Sequence, residues 1–547
     1  MKLINMILAG SLLLGLSACS SDEPQNVPST EGDGNAVYST LRFRMPASRA
    51  DGKNDGVEIG QDNENNIGSI LVVIAAGKDA AGQAITEEPA TGVAPASYEL
   101  LTYSLNDAPT ATASGNDVKY TLAFEQKEEL LKHAGEFVYI FAYCNPTEEI
   151  RAYIEGLGAA TDKDFKDKAF AGDPSTTWKA NGFLMTNVKL ASKKLPSRAE
   201  MEAANKPGDQ AIDLGVVSVV RTASRFDFRD ASAAKNLSYD IMHPEIADKK
   251  MGCVTLTRVA LFNLRKDFYY LPRTKATADA AEVTYCPGFD EMDEGYVVSP
   301  AKVASNFTDA LPEAIDPTNP AAAGLTWTDL ASLTTEDKDE GWGTETTVKE
   351  GYHIWRYATE NTWVGEDDID YNQTTGYVFE AKMTLAEQDK IEQVDGKNQP
   401  VYVYGGVLYY SPADIALAIE KSPISKLATD FAACWTAVKG DDGTYTCTAV
   451  EGADPAEHNF TVYPANDSGE YLCYYFAYNR HNDNGKPSVI GPMEFGTVRN
   501  NVYKLAVTNI TQFGDFKPET NVETWDVFFK LEVLVRPWMV RINNIEF

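Results

Sequence analysis

Histidine is scarce in this 547-residue chain, with only His133, His243, His353, His458 and His481. None belongs to an HExxH pair, and neither a GxSxG turn nor a Gly-rich phosphate loop occurs. The residue patterns of metalloprotease, hydrolase and nucleotide chemistry are therefore missing. A glycosidase carboxylate pair is close in space and not in sequence, so 80 Asp+Glu single none out. Positive charge is also in short supply: 48 Lys+Arg leave a net charge of -32, which repels a polyanion and excludes nucleic acid as a partner. That charge reads as a solvated, anti-aggregating surface. No CxxC pair occurs, so the cysteines do not outline a zinc site. The acidic run Glu366, Asp367, Asp368, Asp370 and Asn372 lacks the spacing and glycine of a calcium loop and reads as solvated. No cofactor and no metal is implied.

Long apolar runs are absent too, apart from Ile4 to Leu16, which is too short to span a bilayer. Lys2 before it and Leu16-Ser17-Ala18-Cys19 after it make a processing signal. The Cys at its end resembles a bacterial lipobox, which implies a signal peptide over 1–18 and lipidation of Cys19. Multiple acyl chains would anchor the chain stably. Ser20, Ser21, Asp22 and Glu23 resemble the surface-export signals of Bacteroidales lipoproteins. Residues 19–36 have almost nothing to bury and read as a tether. Of the six further cysteines, Cys434 shares a helical face with Leu427, Phe431 and Trp435, and Cys473 lies in an apolar run. An even number outside the cell permits disulfides, but mostly free, buried thiols are expected.

What is abundant is period-2 patterning. Val37, Leu41, Phe43 and Met45 form one face of a strand. The turn formers Pro46 to Gly56 follow, an exposed loop in which Arg49 would suit a trypsin-like or Arg-specific protease. Further strand signals lie at Ile70 to Ile74, Val118 to Phe124, Phe137 to Ala142 and Val216 to Val220. The stretch Asp230 to Lys250 is polar and poorly patterned, which puts a domain boundary at 230. Beyond it, the apolar phase of Val254 to Leu264 shifts between Leu256 and Val259, which predicts a bulge. Ser411-Pro412-Ala413-Asp414 predicts a capped helix start, and Tyr471 to Tyr478 another strand. The fold class is mainly β, with two antiparallel β-sandwich domains (50–230 and 231–547) and a few short helices.

The last seventeen residues are apolar and alternating, where termini are usually polar and frayed. Leu531, Val533 and Val535 point one way, Pro537 breaks the phase, and Trp538, Val540 and Ile542 continue before Ile545 and Phe547. Such a strand either joins its own sheet or completes another chain's.

In order along the chain, the lipobox, Ser48-Arg49-Ala50, Val220-Arg221 with Ser224-Arg225-Phe226, Lys266 to Leu271 and Ala358 to Thr362 form a set. Tyr371 to Thr375, Val498 to Tyr503, Val535-Arg536-Pro537-Trp538 and Ile545-Glu546-Phe547 complete it. Together they resemble the fimbrillins of Bacteroidales type V pili, nearest the Mfa-type short-fimbria subunit of the FimA-like superfamily. The resemblance implies a structural, non-enzymatic protein of two transthyretin-like sandwiches, at first an outer-membrane lipoprotein. It implies a cut between Arg49 and Ala50, loss of residues 37–49, and filling of the vacated groove by another subunit's donor strand from Leu531 to Phe547. The partners would be further copies, anchor and tip subunits and the protease, and the place a cell-surface fimbria active in adhesion. Other readings are a tip or adhesin subunit of the same pilus, and a surface glycan-binding lipoprotein using Trp342, Trp355 and Trp363.

Overall fold

Apolar alternation becomes strand almost wherever the sequence carries it. The computed structural model describes residues 34–44, 58–60, 62–87, 94–109, 111–114, 117–157, 167–178, 182–208, 210–288, 292, 295–333, 352–363, 369–482, 490–491, 493–518 and 529–539. In chain order the first part supplies β1 (Val37–Arg44), β2 (Glu58–Ile59), β3 (Ile70–Lys78), β4 (Ser97–Asn106), β5 (Thr112–Ser114), β6 (Asp117–Phe124) and β7 (Phe137–Cys144). Next come β8 (Ala169–Ala171), β9 (Met185–Asn187), β10 (Ala191–Lys194) and β11 (Ile212–Arg221). Nine of these form one sheet in the order β4, β3, β7, β9, β11, β1, β6, β5, with β10 beside β7. Leu41, Phe43 and Leu122 from one end of this sheet share a core with Val72, Ile74 and Ile140 from the other. The sheet is therefore folded over on itself as two layers.

The second sandwich contains β12 (Ala223–Asp230), β13 (Ser238–Met242), β14 (Lys250–Phe262), β15 (His353–Thr359), β16 (Gly376–Leu385), β17 (Tyr471–Tyr478), β18 (Asn501–Ile510) and β19 (Phe529–Met539). One of its sheets runs β2, β19, β18, β12, β15; the other runs β13, β14, β16, β17, with Thr328–Asp329 beside β14. Phe226, Phe228 and Leu505 of the first meet Leu256, Phe379 and Tyr475 of the second. The chain passes between the sandwiches at Thr222, so β12, placed by the boundary at 230 in the first unit, pairs instead within the second. The polar stretch after it hides β13, whose inward residues are only Tyr239 and Ile241, too few to announce a period. Three pairings, β1 with β11, β12 with β18 and β2 with β19, are parallel within this otherwise largely antiparallel set.

The predicted bulge lies in β14, where the register against β16 shifts between Leu256 and Arg258. Between β16 and β17, helices Pro412–Lys421 and Ser425–Cys434 pack around Leu427, Phe431, Trp435 and Phe460. The first of them starts as predicted: the Asp414 N–H donates to Ser411 Oγ at 3.2 Å, with Pro412 at the first position. Cys144, Cys253, Cys434, Cys447 and Cys473 are free thiols, and Cys144, Cys286, Cys434 and Cys473 are buried.

An apolar core, rather than a linker, joins the two sandwiches. Leu71, Val73 and Phe141 from the outer faces of β3 and β7 pack with Phe268, Tyr270 and Tyr357. Gly376 shows how tightly the second sandwich is packed, since a Cβ there would lie 2.4 Å from both Ala477 O and Phe262 Cζ. Gly376→Ala is expected to cost about 1–3 kcal/mol by overpacking, read as a lower urea midpoint with an unchanged slope.

Candidate functional site

β1 is an interior strand. It pairs antiparallel with β6 from Val37↔Phe124 to Phe43↔Val118, and parallel with β11 from Ser39↔Ile212 to Arg44↔Ser218. Val37, Leu41 and Phe43 are buried in the first core, and burying three such side chains contributes about 5–9 kcal/mol. Ser39 lies buried on the same strand, and its hydroxyl has no hydrogen-bond partner among the described residues. The ion pair Arg42–Asp213, at 3.2 Å, is substantially exposed and adds little. Removing β1 would unpair the facing edges of β6 and β11 and open the apolar core beneath them. Met45, Arg49, Ala50 and Cys19 lie outside the described residues.

The chain re-enters at β2 and runs into a one-turn helix, α1 (Asp62–Asn65), where burial is carried by charge instead of hydrocarbon. Glu64 is completely buried. Its carboxylate accepts from Arg225 Nη1 at 3.1 and 3.4 Å and from the Tyr357 hydroxyl at 2.6 Å. Arg225 also forks onto Asp227, at 2.9 Å from Nε and 2.8 Å from Nη2. Burial works against the charged Arg225, yet Asp227 and Glu64 together hold its guanidinium above its ordinary range. Burial, and then the Glu64 carboxylate, push the Tyr357 phenol up. Arg221 donates to Glu64 O at 3.0 Å, to the Asn65 side chain, and to Asn500 Oδ1 at 3.3 Å. Burial lowers it to about 9, so it remains a cation at neutral pH.

None of this was read from Asp62 to Asn66, a polar run that looks like loop. The usable signal lay elsewhere: Arg221 and Arg225 interrupt a nearly apolar stretch, and a buried guanidinium requires a carboxylate. Asp227 supplies one nearby, and Glu64 supplies the other from far upstream.

At the other end of the chain, β19 pairs with β18 from Ile510↔Phe529 to Asn501↔Pro537, and its next two residues pair in parallel with Glu58 and Ile59. Pro537, read as a break in phase, lies inside the strand where its pairing passes from β18 to β2. Leu531 packs half-buried against the second core. Val533, Val535 and Trp538 lie within β19, while Val540, Ile542, Ile545 and Phe547 are outside the described residues. The structure thus sets β1 in the first sandwich and β19 in the second, with β2 alongside the latter.

Further motif residues meet at the same junction. Arg499 donates to both Glu360 oxygens, at 2.9 and 3.2 Å, and to the carbonyls of Tyr269 and Tyr270. Asn361 Nδ2 donates to Gln373 O and Thr375 Oγ1, both at 2.9 Å. Trp363 is buried beneath Lys302, and Trp355 donates to Thr328 Oγ1, so neither stands in an exposed sugar-binding platform. Trp342, Glu366, Asp367 and Asp368 lie outside the described residues, and Asp370 accepts from the Asn372 N–H in a local turn. No group of metal-binding side chains occurs among the described residues.

Residues 469–544 match the family described as major fimbrial subunit protein type IV, fimbrillin, C-terminal. That part of the chain is fimbrillin-like. The matched stretch holds β17, β18 and β19, the strands that carry the tail. Similar solved structures include a fimbrilin (fimA) from Porphyromonas gingivalis W83, at 14% identity over 92% of this chain and 98% of that one, with a TM-score of 0.35. The tip fimbrial protein Mfa3 from the same species, with C-terminal truncation, shares 11% identity over 92% of this chain and 100% of its own, with a TM-score of 0.32. No curated protein matches the chain.

In the fimbrillin-like part, half-buried His481 places Nδ1 3.0 Å from Tyr503 Oη, which itself accepts from the Val498 N–H at 2.8 Å. The hydroxyl proton can then go to Nδ1 of a neutral ring, and burial lowers this imidazole from 6.5 to about 4. Between those values the unfolded chain binds the proton and the folded one does not, so stability falls as pH drops from 6.5 towards 4. Urea midpoints should show His481→Gln losing about 2–3 kcal/mol less than wild type over that range.

Proposed function

We propose that this chain is a structural subunit of a cell-surface fimbria, polymerised by exchange of terminal strands. The observation that carries the reading is β1: an interior strand, apolar on its core side, that precedes Arg49 closely in the sequence. The precursor is lipidated at Cys19 and held at the outer membrane until an Arg-specific or trypsin-like protease cuts between Arg49 and Ala50. Loss of 37–49 leaves a groove between β6 and β11, which the tail of another copy, drawn from Leu531 to Phe547, occupies. The joint is head-to-tail and does not close on itself, so it propagates as a filament. A stalk role follows from the donor-type tail, with anchor and tip subunits at the ends and adhesion as the outcome. The fimbrillin match over 469–544 supports this structural, non-catalytic role.

Arg49→Ala is expected to leave a monomeric precursor, longer by residues 19–49, and deletion of Arg536 to Phe547 a processed protein that forms no SDS-resistant ladder. Ladders from the deletion variant, or surface filaments that retain Cys19, would refute the reading. Phe43→Ala should cost the precursor about 3–5 kcal/mol. The same substitution should leave the dissociation temperature of filaments unchanged, because Phe43 is absent from them.

A further inference from the structure

Among the described residues, the stretch between the expected cut and β3 holds β2, α1 and the lead into β3, and each of them is tied down independently of β1. Asn65 Nδ2 donates to Gly60 O at 2.9 Å, which fixes the residue after β2 to α1. Asn145 Nδ2 donates to Asn66 O at 2.7 Å, and Asn145 Oδ1 accepts from the Gly68 N–H at 2.8 Å. Between these ties sits Glu64, held by Arg225 and Tyr357, with Arg221 on its carbonyl.

The same group of residues reaches the tail from two sides. Ile59, next to Gly60, pairs with Met539, and Glu58 pairs with Trp538. Arg221 holds Asn500, and the following residue, Asn501, pairs with Pro537. Pro537 to Met539 is therefore where the C-terminal strand leaves β18 and takes up β2, and both supports trace back to the buried charges around Glu64.

We propose that β2 and α1 form a latch, anchored by Glu64, that holds the C-terminal strand on its own second sandwich and stays with the protein when β1 is removed. Its consequence for assembly rests on the strand-exchange reading: the tail must be freed from β2 before another copy can take it. The partner of the latch is the chain's own last strand, so the contact restrains premature exchange between precursors.

Hydrogen exchange on the full-length monomeric precursor tests this without assembly. In Glu64→Gln, the peptide covering 529–539 should exchange about tenfold faster or more, since a hydrogen bond to a charged group is weakened. Peptides over 70–78 and 137–144 should keep their wild-type rates. Tyr357→Phe keeps the Arg225–Glu64 pair, should accelerate the same peptide by a smaller factor, and decides the matter should Glu64→Gln fail to fold. Faster exchange over 58–69 with a wild-type rate over 529–539 would overturn the latch. Wild-type precursor that never forms filaments after cleavage would instead count against the fimbrial reading and leave the exchange result standing.

Discussion

The carboxylate of Glu64, enclosed by Arg225, Tyr357 and the neighbouring Arg221, is the contact on which the junction of this protein depends. Taking such charges out of water is costly, and the cost is offset only where every group finds a partner. Asp227 completes the Arg225 fork, and Asn65 and Asn500 complete Arg221. Because the partners come from α1, β11, β12, β15 and the approach to β18, satisfying the charges fixes five parts of the chain relative to one another. The apolar core formed by Leu71, Phe141, Phe268 and Tyr270 supplies adhesion across the same junction. The charges supply the register.

β1 and the segment that follows it are held by different physics. β1 is bound by two ladders and three core side chains, a large but non-directional hold that another apolar strand can replace. The segment after it is bound by ion pairs and amide contacts that accept only their own partners. A chain cut between the two loses the replaceable part and keeps the specific one.

Most strands were legible because one face of each meets a core, which imposes period 2 on the residues themselves. Val118 to Phe124 and the phase shift in β14 are plain cases. β13 was not, since two inward residues make no period, and the crossing at Thr222 was not, since β11 and β12 carry the same pattern into different sheets. Parallel pairing of β1 with β11 depends on which strands lie side by side, information that no single segment holds. The motifs that carry the fimbrillin resemblance, Arg221, Arg225, Glu360 and Arg499 among them, proved to be junction residues. Glu64 stayed hidden because a carboxylate in a polar run looks solvated until its arginines are placed around it.

The bulge in β14 divides that strand into two halves of opposite phase. Val254 and Leu256 before it, and Val259 and Leu261 after it, all reach the same core. The shift also lets two successive residues, Thr257 and Arg258, serve one carboxylate, Glu380. Removing the extra residue here would leave Val259 and Leu261 facing the same core, because plain alternation would then run from Val254 to Leu261; what would be lost is the paired hold of Thr257 and Arg258 on Glu380.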